Sequence, residues 1–388
     1  LKSIALAIEN FSRFAGGAES YAVSLAHALV ENSWEVHLFG KSWDGEPSGA
    51  FFHRIQILEW LPAWIQLLIF AVSHRKMMQQ YHCDVILGFG NTICMNVYQS
   101  HGGVHRLSTA RKILAEPDPL LRIFKRFLIR LSLKHWMRHW IESAPFRQFP
   151  RPVIIAISDM IQEDIQKFYR TTDPIPVIYN GVDVSRFNPD AMNRFRGILR
   201  KRLGLNPDEV VFLFASLELR KKGILPLIEA AALLRERTSQ SFRVLVAGGE
   251  PENFIQRKLR SLSIQDQVVF IGKIQKMEEC YADADVFILP TYYDACSLVV
   301  IEAMASGLPV ITTQYNGAAG IIQNGESGFV VSHPPRPEEI ASAMEKLMIS
   351  DCRGKIGEKA AKTGSRFSFE KNHQEMITIF ESIIADAR

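Results

Sequence analysis

From Ser3 onward, short apolar and β-branched runs alternate with amphipathic stretches of helical period, an alternation that restricts the chain to parallel sheets packed between helices. A strand that is apolar on both faces must be covered on both sides, and a parallel neighbour is reached only through a crossover long enough to hold a helix. The spacing predicts strands over Ser3–Ile8, Glu35–Phe39, Asp84–Gly88, Met95–Gln99 and Val153–Ile157, with a Gly16-Gly17 turn and a helix over Ala18–Val30 after the first. The Pro-rich stretch TTDPIPVIYNGVDVSRFNPD, Thr171 to Asp190, then interrupts the pattern. After it the alternation restarts, with strands expected at Val210–Ala215, Phe242–Ala247, Val268–Ile271, Val286–Leu289, Val310–Thr313 and Phe329–Val331. The 388 residues are enough for two cores. The fold class is α/β: two doubly wound domains, 1–176 and 177–366, facing across a cleft, with a C-terminal helix over about 367–388 packing back on the first. Ligands of such sheets sit beyond the carboxyl ends of the strands.

Net charge is +4, but it is unevenly placed. Residues 106–151 hold eleven Lys or Arg against Glu116, Asp118 and Glu142, a local +8 that leaves −4 for the remainder. Within this segment Arg122, Arg126, Arg130, Lys134 and Arg138 recur every fourth residue opposite Leu121, Phe124, Leu128 and Leu131, as on one amphipathic helix. Like charges at that spacing repel by a few tenths of a kcal/mol, so an anionic membrane surface or a phosphorylated acceptor would account for them, with Trp136 and Trp140 suited to a headgroup layer. A solvated face on a core helix is the competing reading. The longest apolar stretch, Trp60 to Val72, is short for a bilayer and contains Pro62, and the start of the sequence lacks signal-peptide features. Cys83, Cys94, Cys280, Cys296 and Cys352 are odd in number with no CxxC pairing, which fits a reducing compartment. The expectation is a cytoplasmic protein, soluble or peripheral on a membrane.

The chemistry concentrates in DACSLVVIEAMASG, Asp294 to Gly307. One carboxylate, Asp294, follows the strand VFILP, and a second, Glu302, lies inside a helix expected over Ser297–Met304. The first N–H groups of a helix have no partner within it, so an anion can sit there while the two acids accept from hydroxyls. That combination suits a sugar joined to a diphosphate, although the same spelling also fits an ordinary strand–helix crossover. In ELRKKG, Arg220, Lys221 and Lys222 precede a glycine and the next helix, where cations can hold a diphosphate leaving group. Lys222, next to the helix start, is the first choice, and a solvated basic turn is the alternative. His101 follows the strand MNVYQ and precedes Gly102-Gly103, at a strand end that faces the expected cleft, with a core or turn histidine as the equally weighted alternative.

Taken together, the GG turn at Gly16-Gly17, the IAIS segment ending at Ser158, the NGVD of Asn180 to Asp183, the RKKG loop and PTYYDACSLVVIEAMASGLPVITT, Pro290 to Thr313, resemble family 4 of the retaining glycosyltransferases. The resemblance spans nearly the whole chain and implies the GT-B fold of two Rossmann-like domains. It implies that Glu302 binds the ribose of the nucleotide, Asp294 the transferred sugar, and Lys222 with Arg220 the diphosphate. Gly16, Gly17, Gly248, Ile274, Cys296, Ser297 and Leu298 complete the implied donor site, and His101 lies near the reacting sugar. Two departures stand out: the first acid is usually Glu and is Asp294 here, and the Gly expected three residues later is Ser297. An arginine often found six residues before the basic-loop lysine is replaced by Ser216. The PTYYDACS spelling is most similar to bacterial lipopolysaccharide core glucosyltransferases. That likeness implies a nucleotide diphosphate sugar donor (UDP-glucose) and a lipid-linked saccharide acceptor, with a soluble or exopolysaccharide acceptor as the alternative.

No cofactor or metal is expected. Asp283-Ala284-Asp285 spells DxD but precedes a strand instead of closing one; Gly102-Gly103 breaks the His101/His105 spacing, and His135/His139 is crowded by Lys134 and Arg138. A nicotinamide-dependent dehydrogenase shares the alternation, but no GxGxxG follows the first strand. No nucleic-acid motif accompanies the basic segment, and no nucleic-acid partner is expected.

Overall fold

The computed structural model describes residues 1–12, 16–44 and 48–386, and divides them into two units. The first contains the chain up to Ile113, Asp118–Asn180 and the C-terminal helix Phe369–Asp386; the second contains Gly181–Ser368 together with Leu114–Pro117.

Each unit is built on a six-stranded, wholly parallel sheet. In the first, the spatial order is Ala50–Arg54, Glu35–Gly40, Ser3–Ala7, Val85–Gly88, Val97–Ser100, Val153–Ala156. In the second it is Val268–Gly272, Phe242–Gly248, Val210–Ser216, Val286–Leu289, Val310–Thr313, Gly328–Val331. Counted along the chain, both run third, second, first, fourth, fifth, sixth, so the winding direction reverses between the first and fourth strands. At that reversal the crossovers diverge to opposite faces and open a crevice beyond the strand ends. Asn10–Ser12 and Ser42–Asp44 form a small separate parallel ribbon.

The period-two geometry of a strand explains why both faces are apolar. Ile4 and Leu6 point into a core shared with Leu25, Leu29, Val36 and Leu87, whereas Ala5 and Ala7 point to the other face, against Phe39, Ile55 and Phe70. The C-terminal helix closes the first of these cores with Met376, Ile377, Phe380 and Ile384, Phe380 meeting Trp34 edge to face at 6.1 Å. Burying one such phenylalanine stabilises the unit by about 1.5–3 kcal/mol.

The basic segment departs from the single helix that the four-residue spacing predicts. It forms two, Pro119–Leu131 and Leu133–Glu142, separated by Ser132 in extended conformation. Asp118 starts the first by accepting from Leu120 N and Leu121 N at 2.8 and 3.3 Å, with Pro119 in its first turn. At the break Trp136 Nε1 donates to Arg130 O at 2.7 Å, which satisfies one of the carbonyls a helix end leaves unpaired. Arg122, Arg126 and Arg130 therefore belong to one helix, Lys134 and Arg138 to the next. The helix Pro119–Leu131 buries none of its residues. Among the described residues, no helix is long and apolar enough to cross a membrane.

Candidate active site

In the second unit the reversal point lies between Val210–Ser216 and Val286–Leu289, and the loops after these two strands carry the basic and acidic residues picked out above. Their meeting depends on one glycine. Gly223 has φ +87° at the start of the helix Ile224–Arg237, and a Cβ there would stand 2.0 Å from Pro290 O, so only glycine lets the two loops touch. Tyr292 N donates to Lys221 O at 3.0 Å in the same contact. Beside it Lys222 Nζ donates to Asp294 Oδ2 at 2.5 Å, with both side chains about one-fifth exposed. The structure thus joins Lys222 and Asp294, 72 positions apart.

The other two cations of the loop are held elsewhere. Lys221 pairs with Glu218. The Arg220 guanidinium pairs with Glu116 at 3.1 Å and Glu252 at 3.4 Å, and lies 4.2 Å from the centre of the Phe254 ring. Ser216 Oγ accepts from Glu218 N at 3.0 Å and so serves to shape the loop. Gly248 packs against the same strand end: with φ +115°, its Cβ would fall 2.3 Å from Ser216 O. Ile274, partly buried, stands on the loop after Val268–Gly272, at the same carboxyl edge of the sheet.

After Asp294 the chain crosses Cys296 and Ser297, both buried, and enters the helix Leu298–Ala305. Asn316, wholly buried, prepares this helix start: its Oδ1 accepts from Ser297 N at 3.2 Å and from Ala318 N at 3.1 Å, while its Nδ2 donates to Thr312 Oγ1. Gly317 N donates to Asp294 O at 2.8 Å, and Asp294 N to Tyr315 O at 2.9 Å, which fixes the backbone of the acidic loop. The N–H groups of Leu298 and Val299 have no acceptor among the described residues, and they remain open to an anion.

Glu302 lies about one turn further along this helix. Tyr281 Oη donates to its Oε2 at 2.8 Å, which leaves Oε1 for another donor. Protein atoms crowd the carboxylate while the residue keeps part of its surface, and that burial pushes its pKa up; the Tyr281 hydrogen bond and the charge of Arg186 pull the other way. Arg186 is itself gripped at two points by Glu278, Nε to Oε1 at 2.5 Å and Nη2 to Oε2 at 2.8 Å. Tyr281, Asn316 and Arg186 did not emerge from the sequence. Tyr281 lies 21 positions from Glu302, in a different helix, and no local spacing links them.

The DxD acids are structural. Asp283 ends the helix Met277–Asp283 and accepts from the backbone of Gly197, Leu199 and Arg200, while Asp285 pairs with Arg200 at 2.7 Å. Among the described residues no group of three or more His, Cys, Asp or Glu is placed to hold a metal.

In the first unit Gly16 caps the helix Gly17–Glu31 in extended conformation; Arg13–Ala15, just before it, lie outside the described residues. His101 follows the strand Val97–Ser100, with its ring 4.7 Å from that of Tyr21 and 5.2 Å from that of Phe89. The residue is partly exposed, yet its Nε2 is buried and lacks a hydrogen-bond partner among the described residues. Burial holds its pKa down at about 3, so the imidazole is neutral at neutral pH and acts as a donor or acceptor, not as a cation.

Comparison with known proteins bears on this arrangement from both halves. Residues 15–186 match the family described as Glycosyltransferase Family 4, and residues 195–367 match Glycosyl transferases group 1. The chain is 25% identical over 347 residues to the lipopolysaccharide glucosyltransferase WaaG of Escherichia coli, covering 86% of each. In structure it resembles WaaG with a TM-score of 0.81 at 21% identity, covering 97% of this chain and 99% of that one. It also resembles HepE of Anabaena, solved in complex with UDP and glucose, with a TM-score of 0.70 at 17% identity over 98% of this chain and 99% of that one.

Proposed function

This chain belongs to the glycosyltransferases that join a family 4 domain to a group 1 domain on the GT-B fold, and from that premise we propose that it transfers glucose from UDP-glucose, with retention of configuration, to a lipid-linked saccharide of the lipopolysaccharide core. The observation that carries the donor assignment is the contact of Lys222 with Asp294 beside the open N–H groups of Leu298 and Val299. In this reading the diphosphate lies on Lys222 and those N–H groups, and a ribose hydroxyl donates to Glu302 Oε1. Asp294 accepts from hydroxyls of the glucosyl group.

The bond from C1 to the β-phosphate oxygen breaks as the acceptor oxygen bonds to C1 on the same face, and the acceptor proton passes to the departing phosphate. The residues supply charge and position: the ammonium and the amides stabilise the charge the leaving group gains. Neutral His101 donates to a sugar hydroxyl. No metal is required in this scheme, because the cationic contacts come from the protein.

The acceptor reading draws on the basic helices. Pro119–Leu131 exposes Leu120, Ile123, Phe124, Phe127 and Leu131 alongside Arg122, Arg126 and Arg130, the composition of a helix that lies in the headgroup layer on the cytoplasmic face of an acidic membrane. Each basic residue there contributes about 1 kcal/mol.

A panel of nucleotide sugars scored by glucosyl transfer tests the donor assignment: UDP-glucose should be used, and Lys222→Ala and Glu302→Ala should each lower donor affinity. Full activity in both variants would end the assignment. Sedimentation with acidic vesicles tests the membrane contact, which should be lost when Arg122, Arg126 and Arg130 are neutralised together.

A further inference from the structure

Three helices of the first unit, His105–Lys112, Pro119–Leu131 and Leu133–Glu142, enclose a cavity of about 540 Å³. Its polar lining is mostly cationic or imidazole, Arg106, Arg126 and Arg130 with His105, His135 and His139, joined by the hydroxyl residue Thr109 and without a carboxylate. Ile113, Ile129 and the Trp136 ring form apolar wall. Among the described residues none of the three arginines has a carboxylate partner. His105 Nε2 and His135 Nδ1 share one proton across 2.7 Å, their rings stacked 4.9 Å apart. His139 Nδ1 is buried with no hydrogen-bond partner among the described residues. Glu142 does not line the cavity: one oxygen accepts from His105 N at 2.7 Å and the other from Tyr169 Oη at 2.6 Å, and burial pushes its pKa up to about 7.

We propose that this cavity holds the phosphate group of a single anionic phospholipid, with Arg106, Arg126 and Arg130 pairing with its oxygens and His135 and His139 donating to it. The apolar part of the lipid runs out over the uncovered face of Pro119–Leu131. The proposal rests on the membrane reading above and deepens it from a diffuse basic surface to one stoichiometric site. Cations gathered without anions repel one another, and a phosphate removes that repulsion while supplying acceptors to every unpaired donor. The state of the histidines agrees: burial first, then neighbouring cations, lowers all three, with His105 at about 3. A free phosphate would leave the Ile113, Ile129 and Trp136 wall uncovered, whereas an acyl-bearing one covers it.

The test uses the full chain labelled at histidine and followed by NMR. Dihexanoyl phosphatidic acid, kept below its micelle concentration, should move the His105, His135 and His139 signals together and raise their titration midpoints. It should bind at least about tenfold more tightly than inorganic phosphate, because the acyl chains add apolar burial. Dihexanoyl phosphatidylcholine should leave the signals in place. Arg106→Gln with Arg130→Gln should weaken binding about tenfold or more. His135→Gln with His139→Gln gives a second reading that preserves the net charge at neutral pH, and it should weaken short-chain lipid binding while sedimentation with acidic vesicles persists. Unmoved histidine signals, equal affinity for inorganic phosphate, or unchanged affinity in either double variant would overturn the pocket. Vesicle binding without a short-chain response overturns the pocket alone and leaves the membrane reading standing. A short-chain response without vesicle binding upholds the pocket and removes the membrane surface.

Discussion

Replacing Tyr281 by Phe removes one oxygen from a buried ring and tests whether Glu302 is held for ribose. Tyr281 Oη donates to Glu302 Oε2 at 2.8 Å, so the carboxylate is oriented from behind with Oε1 turned free. A hydrogen bond to a charged acceptor contributes about 1.5–3 kcal/mol. Part of that loss falls on the free protein, where the carboxylate, already raised by burial, takes up a proton more readily. If the loss in the complex exceeds that in the free protein by about half of this, nucleotide binding weakens by roughly 0.7–1.5 kcal/mol, or about three- to twelvefold. Calorimetric titration with uridine diphosphate and with its 2′,3′-dideoxy counterpart separates ribose recognition from general damage. The wild-type chain should prefer the ribo form; Tyr281→Phe should weaken that form about three- to twelvefold and leave the dideoxy form nearly unchanged. In a Glu302→Ala background the tyrosine change should add little, because the group it positions is gone. Equal weakening of both nucleotides, or an undiminished tyrosine effect without Glu302, would refute the positioning role.

The same carboxylate gives a pH dependence. Its raised pKa means that free Glu302 takes up a proton at higher pH than an ordinary carboxylate, and in the proposed complex a ribose hydroxyl donates more strongly to the charged form. Nucleotide affinity should therefore rise with pH through that raised value and then level off, a trend that Glu302→Gln should flatten in titrations from pH 5 to 8. Asp294→Asn should release Lys222 from its partner and tighten uridine diphosphate binding while lowering glucosyl transfer; weaker binding would show that the pair, and not the lysine alone, holds the phosphates. Gly223→Ala forces a Cβ against Pro290 O at 2.0 Å and should lower both the melting temperature and nucleotide affinity, with an unchanged melting curve counting against the close approach. His74 is buried with both ring nitrogens unpartnered among the described residues, and burial lowers its pKa to about 4. It stays neutral in the folded state while the unfolded chain protonates below about 6.5, so stability is lost as pH falls from 6.5 toward 4, by up to about 2 kcal/mol at pH 5. In His74→Phe the fall in urea stability between pH 7 and 5 should shrink by that amount.

What could be read from the sequence follows from how locally each feature is encoded. Val286–Leu289 begins and ends where its apolar run does, because a strand buried on both faces favours apolar side chains; Val310–Thr313 continues through two buried threonines whose hydroxyls donate to Leu289 O and Thr291 O. The edge strand Ala50–Arg54 has no such signature: Phe51 is exposed, and an edge strand with a partner on one side needs no continuous apolar run. The helix break at Ser132 was hidden for the opposite reason. The apolar and basic stripes continue through it, no Gly or Pro marks it, and the interaction that favours it, Trp136 Nε1 on Arg130 O, belongs to the folded corner and not to any residue's own preference.

The site divides along the same line. Asp294, the helix start after it and the RKKG loop are contiguous spellings, and each places a chemical group at a strand end by local rules. Their joint chemistry depends on register between distant segments, which periodicity does not carry. Lys222 reaches Asp294 only because the first and fourth strands are neighbours at the reversal of the sheet and Gly223 has no side chain to hold their loops apart. The same dependence separates Lys222 from Arg220, adjacent in composition and equal in formal charge. Glu116 and Glu252 hold the Arg220 guanidinium, so moving it onto a diphosphate would take from Glu116, a carboxylate only 6% exposed, its guanidinium partner. Lys222 leaves a partner that is itself partly open to solvent. The cost of removing the existing partner, not the charge of the candidate, decides which cation of the loop is available to substrate.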